Sequence, residues 1–180
     1  ILGFDACLMN MLEVVVQCRG LTDLVIASEE TEPFAGWPYH TLAAYFRSAR
    51  RLNPVMIGKK IVKLYREYYR PYPEEAVTLS AVSTSHLDDL CQAFSNWVEA
   101  FQSLIPSHLD LIFRIRQGVQ SFTYTDYVDL GDLIRLTNQI INGSNIDPFL
   151  KTGIQESSRP VMNAYDQSVS ASANSGGSVR

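Results

Sequence analysis

Apolar spacing changes twice between Ile1 and Ser28, and this limits the folds open to the chain. Ile1, Leu2, Gly3 and Phe4 read as the end of a buried strand. From Leu8 the spacing turns helical, with Leu8, Met11, Leu12, Val15 and Val16 on one face. Asp23 to Ser28 is apolar again, at strand length. Strand, helix and strand in that order predict parallel strands with a helix laid across them.

The pattern continues downstream. Thr41 to Arg51 reads as a short helix. Asn53 and Pro54 are an N-cap and first-turn pair. They open a helix with Val55, Ile61, Leu64, Tyr65 and Tyr68 on its apolar face, and Pro71 and Pro73 end it. Ala76 to Ser83 is a third strand. Ser85, with Asp88 three residues on, looks like a capping box. It opens a helix with a broad stripe of Leu87, Leu90, Cys91, Phe94, Trp97, Val98, Phe101 and Leu104. Pro106 breaks this helix and Ser107 starts the next. Asp129 opens a further one, which Asn142-Gly143 stops. Asp147-Pro148 begins the last, running to about Tyr165.

The predicted class is therefore α/β: a mostly parallel sheet flanked by helices, with a helix-rich C-terminal half. The block from 85 to 165 is read as packing around the same core. Residues 168–180 are rich in Ser and Gly and are expected to be flexible. The chain opens inside a strand without an initiator Met, so the domain is expected to be incomplete at both ends.

Composition removes several functions. The 180 residues are 46% apolar and 19% charged, as in a globular domain with a real core. Its 15 Lys and Arg are scattered and the net charge is −4, so no basic stripe points to nucleic acid. The longest apolar runs are too short to cross a membrane. Three cysteines are too few and too far apart for a disulfide framework or a zinc site. Cys18 and Cys91 fall on helices near apolar positions and read as small core residues. Asn10 stands where a redox partner of Cys7 would be, and Glu13 where a phosphate-holding arginine would be.

That leaves Cys7, at the predicted switch from strand to helix. Unpaired N–H groups at a helix N-terminus favour negative charge, and so a thiolate or an oxyanion. A buried structural cysteine is the alternative. Alternate strand residues share a face, which puts Asp5 beside Cys7. An acid there opposes ionisation of the thiol but suits a cationic group brought by a substrate. After the second strand comes a loop that is both acidic and aromatic: Glu29, Glu30, Thr31, Glu32, Pro33, Phe34, Ala35, Gly36, Trp37, Pro38, Tyr39.

Phe4-Asp5-Ala6-Cys7-Leu8-Met9, then Ala27-Ser28-Glu29-Glu30-Thr31-Glu32-Pro33, then Gly36-Trp37-Pro38-Tyr39 resemble the clostripain-like cysteine endopeptidases. These are relatives of the caspases, gingipains and legumains. The resemblance is strong in the first quarter of the chain and continues weakly through Tyr127-Val128-Asp129-Leu130-Gly131-Asp132. It implies a caspase-like sheet and a partial peptidase domain over residues 1–167. It also implies a secreted or cell-surface enzyme that cuts peptide or protein substrates after Arg or Lys. Cys7 would be the nucleophile, and Asp5 would receive the basic side chain before the cut bond. Glu29, Glu30 and Glu32 would widen the acidic field, and Trp37 and Tyr39 would wall the pocket. Calcium is left open as a cofactor, since clustered carboxylates suit it.

A cysteine peptidase needs an imidazole near its thiol. The family's partner histidine lies upstream of the cysteine and is followed by glycine. His40, His86 and His108 all lie downstream and precede Thr41, Leu87 and Leu109. The resemblance thus implies that the partner, with one oxyanion donor near it, precedes Ile1. Two other readings stay open. One is a non-catalytic peptide-binding or scaffold domain on the same fold. The other is an unrelated α/β domain whose Cys7 is sealed in the core.

Overall fold

In the computed structural model, residues 1–49 and 53–175 are described. They form two compact units, Ile1–Ser85 with the described part of Ser168–Arg180, and His86–Gln167.

The first unit holds β1 (Leu2–Gly3), α1 (Leu12–Gln17), β2 (Leu24–Ala27), α2 (Tyr39–Ser48), α3 (Pro54–Tyr69), β3 (Val77–Ser83) and β4 (Val169–Ser175). The four strands make one sheet in the order β1-β2-β3-β4. Central β2 is wholly buried, as its unbroken apolar sequence requires. Asn53 caps α3, its side chain accepting from the N–H groups of Val55 and Met56, with Pro54 in the first turn. Ile57, Ile61, Leu64 and Tyr65 of α3 are buried in one cluster with Leu24, Ile26, Leu79 and Ala81 of the sheet. Each such aliphatic side chain contributes about 1.5–3 kcal/mol relative to exposure.

The sheet is α/β as predicted, but it is mostly antiparallel. β1 and β2 run parallel, whereas β2–β3 and β3–β4 are antiparallel. The reason lies in α3. Near its start, a Cβ at Gly58 would touch Leu24, at the beginning of β2. Near its end, Tyr65 and Tyr69 hydrogen-bond Glu32 and Gly36, in the loop beyond β2. The helix therefore runs in the same sense as β2 and delivers the chain to the end where β2 finished. The next strand has to run back down. A single crossover helix would have run the other way.

Two further expectations are corrected. The Ser-rich stretch after residue 168 is not loose throughout, since Val169–Ser175 pair with β3 as β4. Backbone groups on the open edge of β3 accept a partner whatever its side chains, and small residues alternate there without clashing. The helix expected from Leu8 begins only at Leu12. Thr41–Arg51 is also shifted: α2 starts at Tyr39 and ends at Ser48, while Arg50 and Arg51 lie outside the described residues.

The second unit comprises α4 (Leu87–Gln102), α5 (Leu109–Gly118), α6 (Leu130–Asn142) and most of α7 (Pro148–Ser168). A 3₁₀ turn, Thr84–His86, leads into α4, so His86 takes the N-cap place expected of Ser85. Asp129 caps α6 as predicted, accepting from the N–H of Asp132. The unit has an apolar cluster of its own, with Leu104, Leu111, Ile141 and Ile154 buried together. Trp97 is buried and donates its indole N–H to Ser158 Oγ at 3.1 Å.

Candidate active site

Strands β1 and β2 end side by side, and the loops that follow them are joined by backbone bonds. Phe4 N–H donates to Ile26 C=O, Leu8 N–H to Glu30 C=O at 3.1 Å, and Asn10 N–H to Ser28 C=O at 2.9 Å. These bonds hold residues 7–10 in a turn and keep them out of a helix. Leu8 has φ 62, a left-handed conformation that costs a non-glycine residue about 1–2 kcal/mol. Beneath the turn, Thr78 of β3 fixes the second loop. Its hydroxyl pairs with Ser28 Oγ at 2.9 Å and accepts from the N–H groups of Glu29 and Glu30.

Cys7 sits in this turn and is exposed, which removes the reading of a cysteine sealed in the core. Because α1 starts five residues later, its N-terminus does not meet the sulfur. The donor that does is the backbone N–H of Glu32, 3.2 Å from Cys7 Sγ.

Asp5 lies at the same sheet edge. Its Oδ2 accepts from the Trp37 backbone N–H at 3.2 Å and from the Tyr39 hydroxyl at 2.8 Å. The bond to Asp5 holds the Tyr39 phenol above its ordinary range. Gly36, at φ 61, lets the loop come this close, and its carbonyl accepts from the Tyr69 hydroxyl at 2.8 Å. The Trp37 indole packs over Gly3. Asp5, Trp37 and Tyr39 are thus brought together.

Glu29 and Glu30 turn elsewhere. Glu29 Oε1 accepts from Asn10 Nδ2 at 3.0 Å. Glu30 is buried, and its Oε1 accepts from the N–H of Thr31 at 2.9 Å. The acid that joins Trp37, and through it Asp5, is Glu32. Its carboxyl accepts from the Tyr65 hydroxyl at 2.6 Å and the Trp37 indole N–H at 3.4 Å. Burial pushes its pKa from 4.5 up to about 7; the bonds from Tyr65 and Trp37 oppose the shift, and the Asp5 charge adds to it. Tyr65 is raised far above the usual phenol range by burial and by its bond to Glu32. Tyr69 is raised to about 12, chiefly by burial.

Sequence reasoning placed Tyr65 on the core face of a helix and did not connect it with the acidic loop. A signal was present. Tyr65 and Tyr69 are one helical turn apart, and buried phenols need hydrogen-bond partners.

Calcium is held by several oxygen ligands gathered at one point. Among the described residues no three His, Cys, Asp or Glu side chains converge on one point. The three loop glutamates face different partners, so no chemical step is routed through that ion. Nor does any described histidine hydrogen-bond Cys7. His40 packs its ring edge-on against Tyr68, while His86 and His108 are N-cap residues of α4 and α5.

Three solved structures share the fold. Clostripain from Bacteroides thetaiotaomicron, in complex with the peptide inhibitor BTN-VLTK-AOMK, is similar with TM-score 0.61 and 19% identity, over 97% of this chain and 67% of that one. An inactive zymogen protease from Parabacteroides distasonis gives 0.62 and 20%, over 96% of this chain and 43% of that one. A secreted cysteine protease of Bacteroides thetaiotaomicron, iotapain, gives 0.59 and 18%, over 96% and 42%. The chain thus spans less than half the length of two of the three. No curated protein matches the sequence. The family model of the clostripains matches residues 1–178, and the chain therefore belongs to the clostripain family and carries its cysteine-protease fold.

Proposed function

We propose that this protein is a cysteine endopeptidase that cleaves after arginine or lysine, with Cys7 as nucleophile and Asp5 as the acid that binds the basic side chain. The observation that carries this reading is the pair itself: an exposed thiol two residues from a carboxylate that Trp37 and Tyr39 hold at the same sheet edge. A guanidinium or ammonium docking on Asp5 brings the next carbonyl to Cys7. An aspartate binds either cation, and the planar guanidinium with better geometry. Trp37 and Tyr39 wall the pocket, and Glu32 lies beneath it. The inhibitor bound to clostripain ends its peptide part in lysine, which fits such a pocket.

The thiolate sulfur attacks the carbonyl carbon, and the oxyanion forms facing backbone N–H groups, that of Cys7 among them. The C–N bond breaks, the amine leaves with a proton, and a thioester remains on Cys7. Water then releases the acid and restores the thiol. The proton carrier in this scheme is an imidazole outside these 180 residues. Supporting this, His40 is engaged with Tyr68 and no described histidine bonds Cys7. The 180 residues alone are accordingly expected to show little or no turnover. Secretion is proposed by analogy with iotapain, which is described as secreted.

The test is a pair of variants in the full-length protein. Asp5→Asn keeps the shape and removes the charge. Losing a charged hydrogen-bond partner costs about 1.5–3 kcal/mol. That corresponds to on the order of ten- to a hundredfold in kcat/KM for basic substrates. Cys7→Ala abolishes turnover of every substrate. If Asp5→Asn keeps the basic preference, the pocket acid has to be Glu32, since Glu29 and Glu30 turn to Asn10 and Thr31. A wild-type protein that binds peptides without cutting them is the non-catalytic domain instead.

A further inference from the structure

Glu32 reaches both halves of the site. Its backbone N–H points at Cys7 Sγ, while its side chain is fastened to the core. The fastening is Tyr65, which is 1% exposed and gives its hydroxyl to Glu32 Oε2 at 2.6 Å. The second tie is the Trp37 indole N–H on Oε1, and Trp37 in turn donates its backbone N–H to Asp5. One glutamate thus links the body of α3 to the sulfur and, through Trp37, to the pocket acid.

We propose that Glu32 is a positioning residue for the nucleophile: its side chain, anchored on Tyr65, holds its own backbone N–H against Cys7 Sγ. The proposal rests on Cys7 being the nucleophile. The donor does the work that a helix N-terminus would have done if α1 had begun at Leu8. A peptide N–H aimed at sulfur stabilises negative charge there, and it does so only while the loop stays in place. Thr31 Oγ1 turns back to Glu30 Oε1 at 3.5 Å, and the proline ring of Pro33 has no donor or acceptor. Glu32 is tied by its side chain to α3, and this tie adds to the anchors that Thr78 and Ser28 give the start of the loop. Either protonation form of that carboxyl keeps an oxygen free to accept from Tyr65, and the bond is the stronger when the carboxyl is ionised.

The test is the rate at which iodoacetamide alkylates Cys7 in the full-length protein at pH 7.5, an assay condition read by mass spectrometry of the Cys7 peptide. Two variants cut the tether from opposite ends. Glu32→Ala removes the acceptor, and Tyr65→Phe removes only the donor hydroxyl. Each is expected to slow alkylation by roughly three- to tenfold, the scale of one charged hydrogen bond partly lost. Each should also lower kcat for peptide hydrolysis, and Tyr65→Phe, which keeps the Glu32 carboxyl, should change KM less than about twofold. Glu32→Gln keeps an acceptor for Tyr65 and recovers most of the alkylation rate. Melting temperatures of the variants separate this from general loosening. Unchanged or faster alkylation in both cutting variants overturns the proposal, as does a Gln variant as slow as the Ala variant. Alkylation needs no peptide, so its result stands even if the preference for Arg and Lys is wrong. Full turnover by Cys7→Ala would instead remove the nucleophile on which both readings depend.

Discussion

Gly36 and Asp5 touch so closely that a side chain at position 36 has no room: a Cβ there would lie 2.5 Å from Asp5 Oδ2. The glycine also has φ 61, where only glycine is unstrained. Loop shape and the position of the Asp5 carboxylate are thus one constraint.

Gly36→Ala is expected to destabilise the protein by about 1–2 kcal/mol from backbone strain, and also to displace Asp5 and weaken cleavage after basic residues. Gly20→Ala is the control. Gly20 has φ 77, but a Cβ added there would meet nothing within 4 Å, so it should show the strain without the loss of activity. Equal loss of kcat/KM in the two variants would mean that the contact with Asp5 is irrelevant.

Glu32 makes stability depend on pH. Its folded-state pKa, about 7, lies above the ordinary 4.5, so the folded protein keeps a proton that the unfolded chain gives up. The associated stability is fully present below pH 4.5 and is lost as pH rises through about 7. Chemical denaturation across that window should therefore show a downward slope that Glu32→Gln flattens. An unchanged slope in the variant would assign it to another group.

The same titration should be visible in substrate binding. Below about pH 7 Glu32 carries a proton; above it Glu32 adds a negative charge beside Trp37, whose backbone N–H is bonded to Asp5. KM for substrates with Arg or Lys before the cut should fall as pH rises through that value. Glu32→Gln should remove this dependence, and a profile that survives the substitution would rule Glu32 out as its source.

Gly58→Ala tests the close approach of α3 to the sheet. Alanine is better in a helix by about 1 kcal/mol. Its Cβ, however, would lie 2.6 Å from Leu24 Cδ2 and 3.1 Å from the Ala81 Cβ. Overpacking of this kind costs typically about 1–3 kcal/mol, so net destabilisation is expected in urea unfolding. A stabilised variant would show that the helix can lift away at no cost.

What the sequence determined by itself is what local pattern encodes. The apolar run of Leu24–Ala27, the Asn53-Pro54 start of α3 and the Asp129 cap of α6 stand where spacing and caps put them. Asp5 and Cys7 stood out because they closely follow the first strand, and Trp37 and Tyr39 because they lie in the acidic, aromatic segment between β2 and α2. The tertiary structure decided the rest. Strand direction depended on which way α3 runs over β2, and no residue of β3 encodes that. The turn at Cys7 displaced a helix that its apolar spacing allowed, because Glu30 and Ser28 carbonyls took the N–H groups of Leu8 and Asn10. Glu32 was separated from its neighbours Glu29 and Glu30 by Tyr65, distant in sequence and in contact only after folding. Three glutamates in one loop have the same chemistry on paper, and it is burial against one phenol that gives a single one of them its place beneath the site.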